Sequence, residues 1–360
     1  MSWLLSILVL GTLVLLHEYG HFVVARWSGV RVERFSIGFG PRLLRWRRGR
    51  TEYVLSLLPL GGYVKLAGEH GAGKAHASDE FLSKPTGVRA WIIFAGPLVN
   101  ALISVVALWV VLVIGYPELL PNVGRLLDGM PAKEVGIQVG DHVRAIDEQP
   151  VRTWEELTQV VYRSPGKPLR LQIDRAGAPM TITVTPKPRE IRDPFGRTKT
   201  IGLVGIVPAG TYETYRVGPM EALRKTAAKE WEWTSQMMLS LWSLFTGRMS
   251  MQESLTGPIG IMYMTSEAVK MGFGPLLYLV SIFSLSLAIF NVFPIPVLDG
   301  GHLLFIALEK LRGRPVSVKV QERSAQVSMA LLLCLVVVVC ANDLTRLGVV
   351  DRVKTWWSAN

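Results

Sequence analysis

The sequence predicts a polytopic α-helical membrane protein with four transmembrane helices, a membrane-associated β-hairpin sheet and an inserted α+β domain. Its 360 residues are 49% hydrophobic with a mean hydropathy of +0.32, and only 19% are charged, which is too apolar for an ordinary soluble protein of this size. Long apolar segments alternate with polar regions, which predicts the following order: span 1–26, β region 27–89, span 90–116, inserted domain 117–190, linker and interfacial helix 191–275, span 276–308, loop 309–326, span 327–343 and tail 344–360.

The apolar segments are judged by their length. A bilayer core takes about 20 helical residues, so segments 3–25, 90–116 and 276–308 are long enough, whereas segment 327–341 is short. A buried core helix is the alternative for each, but residues 331–339 are apolar on every side, which favours lipid. The first segment lacks a basic region and a small-residue cleavage site, which disfavours a removable signal peptide.

The basic residues indicate topology. The formal net charge is +11, yet the cations crowd into segments beside apolar runs and do not alternate with aromatic residues as in a nucleic-acid groove, so no nucleic-acid partner is expected. By the positive-inside rule, the loops between spans one and two and between spans three and four are cytoplasmic. Both termini and the long region 117–275 are then expected on the opposite side.

The first apolar segment contains the polar stretch HEYGH, residues 17–21. On a helix, His17 and His21 lie one turn apart on one face, and Glu18 can reach a water bound to a metal between the imidazoles. Histidines bonded to core carbonyls are the alternative, but ionisable residues inside a membrane are rare and mark functional sites. The stretch therefore predicts a zinc-hydrolase arrangement.

A catalytic zinc ion needs a third protein ligand and an open position for water. His302 and, as the stronger candidate, Asp299 lie in the third apolar segment, whereas the other histidines lie outside the spans: His70, His76 and His142. HEYGH lies roughly 8 to 14 Å of helix from its basic flank, and Asp299 lies roughly 15 Å from Glu309. These depths agree.

Prolines and glycines next to Asp299 would break or kink the third span: Pro294, Pro296, Gly300 and Gly301. Irregular backbone at membrane depth occurs only where it packs in protein or lines a water-filled cavity. We therefore expect a hydrated pocket nearer the cytoplasmic face.

Three stretches carry a family resemblance: HEYGH at 17–21, FAGPLVN at 94–100 and NVFPIPVLDGG at 291–301. They resemble the site-2 protease family (M50) of intramembrane zinc metalloproteases, most closely the RseP-like bacterial branch, and the likeness runs through nearly the whole chain. It implies that Glu18 is the catalytic base. It also implies zinc ligands and substrate-binding residues, namely His17, His21 and Asp299 for Zn²⁺ and Asn291, Pro294 and Pro296 for substrate.

Residues 30–68 alternate partly between apolar and polar side chains, which predicts hairpins with turn signals at Gly38, Gly40, Pro41 and Gly49. A transmembrane substrate helix must unwind before cleavage, and a strand edge here could pair with it. GFGP and PLGGYVK resemble the membrane-reentrant β-sheet of the family, which implies that Gly61 and Gly62 border the substrate. A hairpin lying on anionic lipid remains an alternative because of the arginines in 42–50.

The inserted region 121–188 predicts a soluble unit: a strand, a short helix from Pro131, a tight turn at residues 140–141, a strand, a helix over 154–161 and two further strands. It resembles a single PDZ domain of the circularly permuted bacterial kind. The resemblance implies a peptide-carboxylate loop with Val123, Gly124 and Leu126. A steric lid is the alternative role.

Residues 220–245 begin polar and end apolar, and they contain three tryptophans, which favours a helix at the membrane interface. A fifth span is the alternative, although charged residues shorten its apolar part. Residues 256–261, TGPIGI, resemble the segment before the family's third span.

Two functions remain from sequence. The resemblance implies a protease of the bacterial inner membrane that cuts single-span proteins, such as an anti-sigma factor or a signal-peptide remnant, after an upstream site-1 protease. The alternative is a catalytically idle PDZ membrane scaffold or transporter-like protein. The intact Glu18 and complete ligand set favour the enzyme.

Overall fold

The computed structural model describes residues 2–69, 77–192, 198–247 and 257–346. His70 and His76, the start of TGPIGI at Thr256 and the tail beyond residue 346 lie outside these ranges. Two compact units are distinguished. The first contains residues 1–110, 223–234 and 255–360, and the second contains residues 111–222 and 235–254.

Four helices are long and apolar enough to cross a membrane, which confirms a polytopic helical membrane protein: α1 (Ser2–Trp27), α2 (Thr86–Ile114), α7 (Phe273–Val292) and α9 (Val318–Arg346). The fourth is longer than the sequence predicted, because its polar first turns are also helical. The remaining helices are α3 (Pro131–Glu134), α4 (Trp154–Tyr162), α5 (Pro219–Phe245), α6 (Pro258–Met271) and α8 (Asp299–Arg312).

The third span differs from the continuous 276–308 segment that the sequence predicted. Helix α7 ends at Val292, and α8 begins at Asp299. The breaking residues act as expected: Pro294 and Pro296 lie in the irregular segment, and Gly300 and Gly301 permit its tight return. A Cβ on Gly300 would lie 2.0 Å from the Phe293 carbonyl oxygen, and a Cβ on Gly301 would lie 2.4 Å from Pro296 Cα.

The first polar region forms two long, bent strands, β1 (Val32–Arg48) and β2 (Thr51–Leu66), which are joined by a turn at Gly49 and Arg50 and pair as a small antiparallel sheet, called the β-ribbon below. The other turn signals lie within β1, where the pairing shifts in register. Residues 34–37 of β1 pair with residues 52–55 of β2 on one side and with residues 62–65 of β2 on the other. Residues 62–65 therefore form an outer edge of the sheet. Residues 42–48 and 51–56 form a tight hairpin at the predicted turn signal Gly49, and residues 34–37 and 62–65 continue the same antiparallel sheet.

Helix α1 packs closely against β2. A Cβ on Gly11 would lie 2.1 Å from the Pro59 carbonyl oxygen, and a Cβ on Gly61 would lie 2.6 Å from Val14 Cγ1. Phe22, Phe35 and Ile92 are buried in one core that joins α1, the ribbon, α2 and α8. This core fixes the relative position of the segments that carry the candidate site.

The second unit contains a four-stranded antiparallel sheet with the order β6 (Gln149–Pro150), β5 (His142–Ile146), β7 (Leu169–Arg175) and β8 (Ala178–Val184). Leu157 of α4 is fully buried against it. The buried Asp141 carboxylate accepts hydrogen bonds from Arg175 (2.7 Å) and from the Gln138 N–H (2.8 Å). Burial would raise the pKa of Asp141, but these donors favour its ionised form and hold the pKa below its ordinary value.

The unit extends past the predicted boundary at residue 190. Two strands precede the four-stranded sheet in the chain, β3 (Tyr116–Leu119) and β4 (Val123–Leu126). Four strands follow it: β9 (Lys187–Arg192), β10 (Thr198–Leu203), β11 (Ile206–Pro208) and β12 (Tyr212–Tyr215). Strand β11 pairs with β4, β12 pairs with β3, and Val204 belongs to the core of the unit. The sequence was wrong to treat this stretch as linker, because its strands are short and lack strong alternation.

Candidate metal centre

The three predicted zinc ligands meet, although almost three hundred residues separate HEYGH from Asp299. His17 Nε2 lies 3.0 Å and His21 Nε2 lies 3.3 Å from Asp299 Oδ2, and the two Nε2 atoms are 3.2 Å apart. Ligand atoms about 2.1 Å from a tetrahedral zinc ion lie about 3.4 Å apart. The three atoms therefore have the spacing of a shared metal ion.

The hydrogen bonds of the imidazoles leave the Nε2 atoms available. His21 Nδ1 lies 2.9 Å from the Ile92 carbonyl oxygen. Because a carbonyl can only accept, Nδ1 carries the proton and Nε2 presents a lone pair to the cluster. Metal-bound histidines in proteins usually have such a partner on the other ring nitrogen.

His17 is oriented by Asn100, whose side-chain nitrogen Nδ2 lies 3.3 Å from His17 Nδ1. Asn100 is fully buried, and its Oδ1 has no hydrogen-bond partner within the described residues. Rotating the amide by half a turn places Oδ1 against His17 Nδ1–H. That arrangement satisfies the oxygen and leaves Nε2 of His17 free to bind a metal.

Asp299 Oδ2 is another buried oxygen without a hydrogen bond in the described part of the chain. It approaches both Nε2 atoms, but lone pairs on three neighbouring atoms cannot satisfy one another. A buried carboxylate needs a cation or hydrogen-bond donors. The donor set of two imidazoles and one carboxylate is one that catalytic zinc uses, so the residues fit the ion.

Gly96 of α2 makes room for the imidazoles. A Cβ at this position would lie 2.4 Å from His21 Nε2 and 2.7 Å from His17 Cε1. One helical turn further along α2, Asn100 supports His17. Helix α2 thus forms the wall behind both histidines.

Two contacts hold α2 against α8, which carries Asp299, and against α7, which precedes it. Arg89, at the start of α2, forms a buried ion pair with Glu309 of α8. Ser284 of α7 donates a 2.7 Å hydrogen bond to the Asn100 carbonyl oxygen. The break between α7 and α8 therefore lies between two anchored helices.

Glu18 lies beside the cluster and is half-buried. Its Oε2 accepts a 3.1 Å hydrogen bond from the Val64 N–H, on the outer edge of β2. This bond fixes one carboxylate oxygen and leaves Oε1 for other contacts.

The other predicted residues lie on segments that precede Asp299 or pack against α1. Asn291 is half-buried at the end of α7, Pro294 is exposed and Pro296 is half-buried in the break. Gly62 is close to α1, since a Cβ there would lie 3.1 Å from Leu15 Cδ1. His302 is exposed and does not join the ligand cluster, which supports the choice of Asp299.

The residues predicted to form a peptide-carboxylate loop lie in strand β4 instead. Val123 is fully buried, its N–H bonds the Asp141 carbonyl and its C=O accepts from the Gly140 N–H. A Cβ on Gly124 would lie 2.4 Å from Ala209 Cα, and Leu126 packs against the core. These residues form a paired strand rather than an open loop, so we do not retain them as a peptide-binding site.

Sequence reasoning missed the roles of Gly96 and Asn100. Both lie in FAGPLVN, which was recognised only as a family stretch. An asparagine inside an apolar helix was the available signal, because a buried amide needs partners.

Spanning helices around two imidazoles, a carboxylate and an adjacent glutamate define a membrane metalloprotease. Comparison with known proteins agrees: the family model described as "Peptidase family M50" matches residues 5–335, and the chain belongs to that family. It is a zinc metalloprotease.

Named relatives have similar sequences over nearly their whole length. Regulator of sigma-E protease RseP from Escherichia coli (strain K12) is 32% identical over 450 residues, covering 95% of this chain and 98% of the relative. RseP from Salmonella typhimurium has the same identity and coverage. Zinc metalloprotease RasP from Geobacillus kaustophilus is 29% identical over 418 residues, covering 94% and 97%.

Proposed function

We propose that this zinc metalloprotease performs regulated intramembrane proteolysis, cutting single-span membrane proteins after a first protease has trimmed their exported part. The observation that carries the proposal is the convergence of His17, His21 and Asp299 between apolar helices. A peptide bond that reaches this cluster lies within or close to the membrane.

His17 Nε2, His21 Nε2 and Asp299 Oδ2 would hold Zn²⁺. The ion would polarise the scissile carbonyl and make water acidic enough to attack near neutral pH. The Ile92 carbonyl and the Asn100 amide keep the two imidazoles in the tautomer and orientation that this requires.

Glu18 is proposed as the general base. Its Oε2 is held by the Val64 N–H, so Oε1 takes the proton from the attacking water. The same oxygen then returns the proton to the amine of the leaving fragment.

The outer edge of β2 is proposed to bind the unwound substrate. The Val64 N–H points away from β1 and meets Glu18, so this edge borders the catalytic base. Gly61 and Gly62 keep the edge close to α1. An extended segment could add to it by main-chain hydrogen bonds, and Asn291 could bind the same segment from the end of α7.

The names of the relatives support a proposal for the substrate class. Two are named regulators of sigma-E protease, so we propose an anti-sigma-factor-like protein as substrate, with signal-peptide remnants as a second class. We place the enzyme in the bacterial inner membrane, with the second unit as a PDZ domain outside the cytoplasm.

The test is cleavage of a single-span anti-sigma factor, shortened to mimic the first cut, by the full chain in proteoliposomes. Glu18→Gln preserves the acceptor for the Val64 N–H but cannot take a proton, so we expect at least a 100-fold loss of rate. Glu267→Gln removes an exposed carboxylate on α6 as a control. Equal cleavage by wild type and Glu18→Gln would refute the mechanism and favour an idle scaffold.

A further inference from the structure

The β-ribbon has an apolar surface in one part and a charged cavity in another. Its far part exposes large apolar side chains to solvent: Phe39, Leu43, Leu44, Leu57, Leu58 and Leu60. Next to them, an open cavity of 810 Å³ is lined by six cationic and two acidic side chains. Such a large apolar surface followed by a basic cavity is typical of a segment that meets a membrane.

Carboxylates compensate only part of the positive charge in the cavity. Lys65 pairs with Glu33 (2.8 Å) and Arg34 pairs with Glu52 (2.6 Å). Arg31 and Arg50 approach Asp79 at 3.7 and 2.9 Å. After these pairs are formed, the remaining positive charge of the cavity lies on two neighbouring arginines.

Arg45 and Arg47 carry this excess. Arg45 is 3.6 Å from Glu52, which Arg34 already binds, and the Arg45 side chain is 67% exposed. Arg47 has no acidic partner among the described residues. The two side chains alternate with Leu44 and Trp46, so they project from the same face of β1.

The position of Trp46 indicates the depth of this site. Trp46 is half exposed and stacks on Tyr53 with ring centroids 5.5 Å apart. Tryptophan favours the boundary between hydrocarbon and headgroups. Because strand residues rise about 3.3 Å each, Arg45 and Arg47 lie within roughly 10 Å of Leu44, at the level of lipid phosphates if the apolar part enters the bilayer.

We propose that this cavity binds the headgroup of an anionic phospholipid, with the phosphodiester between Arg45 and Arg47. Guanidinium groups bind phosphate oxygens through paired hydrogen bonds. A lipid bound there would hold the ribbon at a fixed depth. The site is separate from the metal centre, and its binding does not depend on proteolysis.

The experiment measures binding of short-chain phosphatidylglycerol to the purified full chain in neutral detergent by native mass spectrometry. Each cation at an anionic lipid surface contributes about fivefold in affinity. We therefore expect Arg45→Gln/Arg47→Gln to bind about 30-fold more weakly and Arg45→Lys/Arg47→Lys to retain most of the binding. Arg42→Gln/Arg48→Gln is the matched control, because it removes the same charge from β1 at residues outside the cavity.

Unchanged binding in the control and weak binding of phosphatidylcholine would support the proposal. Equal losses in both glutamine variants would overturn it, because net charge alone would then explain the binding. Inorganic phosphate that competes at the same concentration as the lipid would also overturn it, because the site would then recognise a free anion. Circular dichroism of each variant checks that the fold is retained.

Discussion

Substitution of Gly96 by alanine tests whether the space behind the histidines sets the metal geometry. The new Cβ would lie 2.4 Å from His21 Nε2 and 2.7 Å from His17 Cε1, whereas ordinary carbon contacts begin near 3.4 Å. The rings must therefore move by about 1 Å, five times the tolerance of about 0.2 Å for metal ligands. A displacement of about 1 Å can lower a catalytic rate by about 100-fold.

The assay for Gly96→Ala combines zinc content after competition with a chelator and kcat/KM on the shortened substrate. Gly87→Ala is the matched control, because it lies in the same helix and a Cβ there meets nothing within 4 Å. Alanine favours a helix over glycine by about 1 kcal/mol, so loss of helix cannot explain a defect at Gly96. Retention of zinc affinity and activity within about twofold would refute the reasoning.

Three further substitutions test other contacts. Asn100→Ala removes the partner of His17 Nδ1, so zinc affinity in chelator competition should fall about 10- to 100-fold. Asp141→Asn weakens the bonds to Arg175 and should destabilise the second unit by about 1–3 kcal/mol in urea unfolding monitored by hydrogen exchange. Because folding lowers the pKa of Asp141, that difference should be complete above about pH 3.8 and shrink as the pH falls further. Asp343→Ala removes the acceptor of two N–H groups at the start of α6 and should cost about 1 kcal/mol, measured by thermal unfolding.

Each of these tests has its own control. Asn122→Ala removes a comparable amide from the second unit, where it contacts Thr211, and unchanged zinc affinity is expected. A pH-independent difference for Asp141→Asn would contradict its ionised role. Ser324→Ala in α9 removes only local bonds to the Val320 and Gln321 carbonyl oxygens, and an equal loss there would contradict the capping role of Asp343.

The spans and ribbon could be predicted because their signals are local. An apolar run of about 20 residues or an alternating pattern specifies its element whatever it packs against. The ends were harder to place, since the first turns of α9 are polar and mostly exposed and give no apolar signal, and the short strands β9 to β12 depend on pairing with other strands. Strand β11, for example, exists through pairing with β4.

The metal ligands could be predicted because charged side chains in apolar segments are rare enough to stand out. Asn100 and Gly96 were not assigned roles, because their importance depends on which residues face them. No pattern along α2 shows that a missing Cβ at Gly96 accommodates rings from α1. Such complementarity becomes visible only when the helices are placed together.

The same packing explains why the three ligands can be held so close together. Two imidazole nitrogens and a carboxylate oxygen within 3.3 Å are unfavourable unless a cation neutralises them. Contacts outside the site hold the ligands together against this cost. The buried core around Phe22 and Ile92 and the Arg89–Glu309 pair fix the positions of α1, α2 and α8. Because metal binding would then relieve strain between segments already joined, its binding energy also stabilises their association. The site thus depends on the helix packing, and the packing gains from the metal.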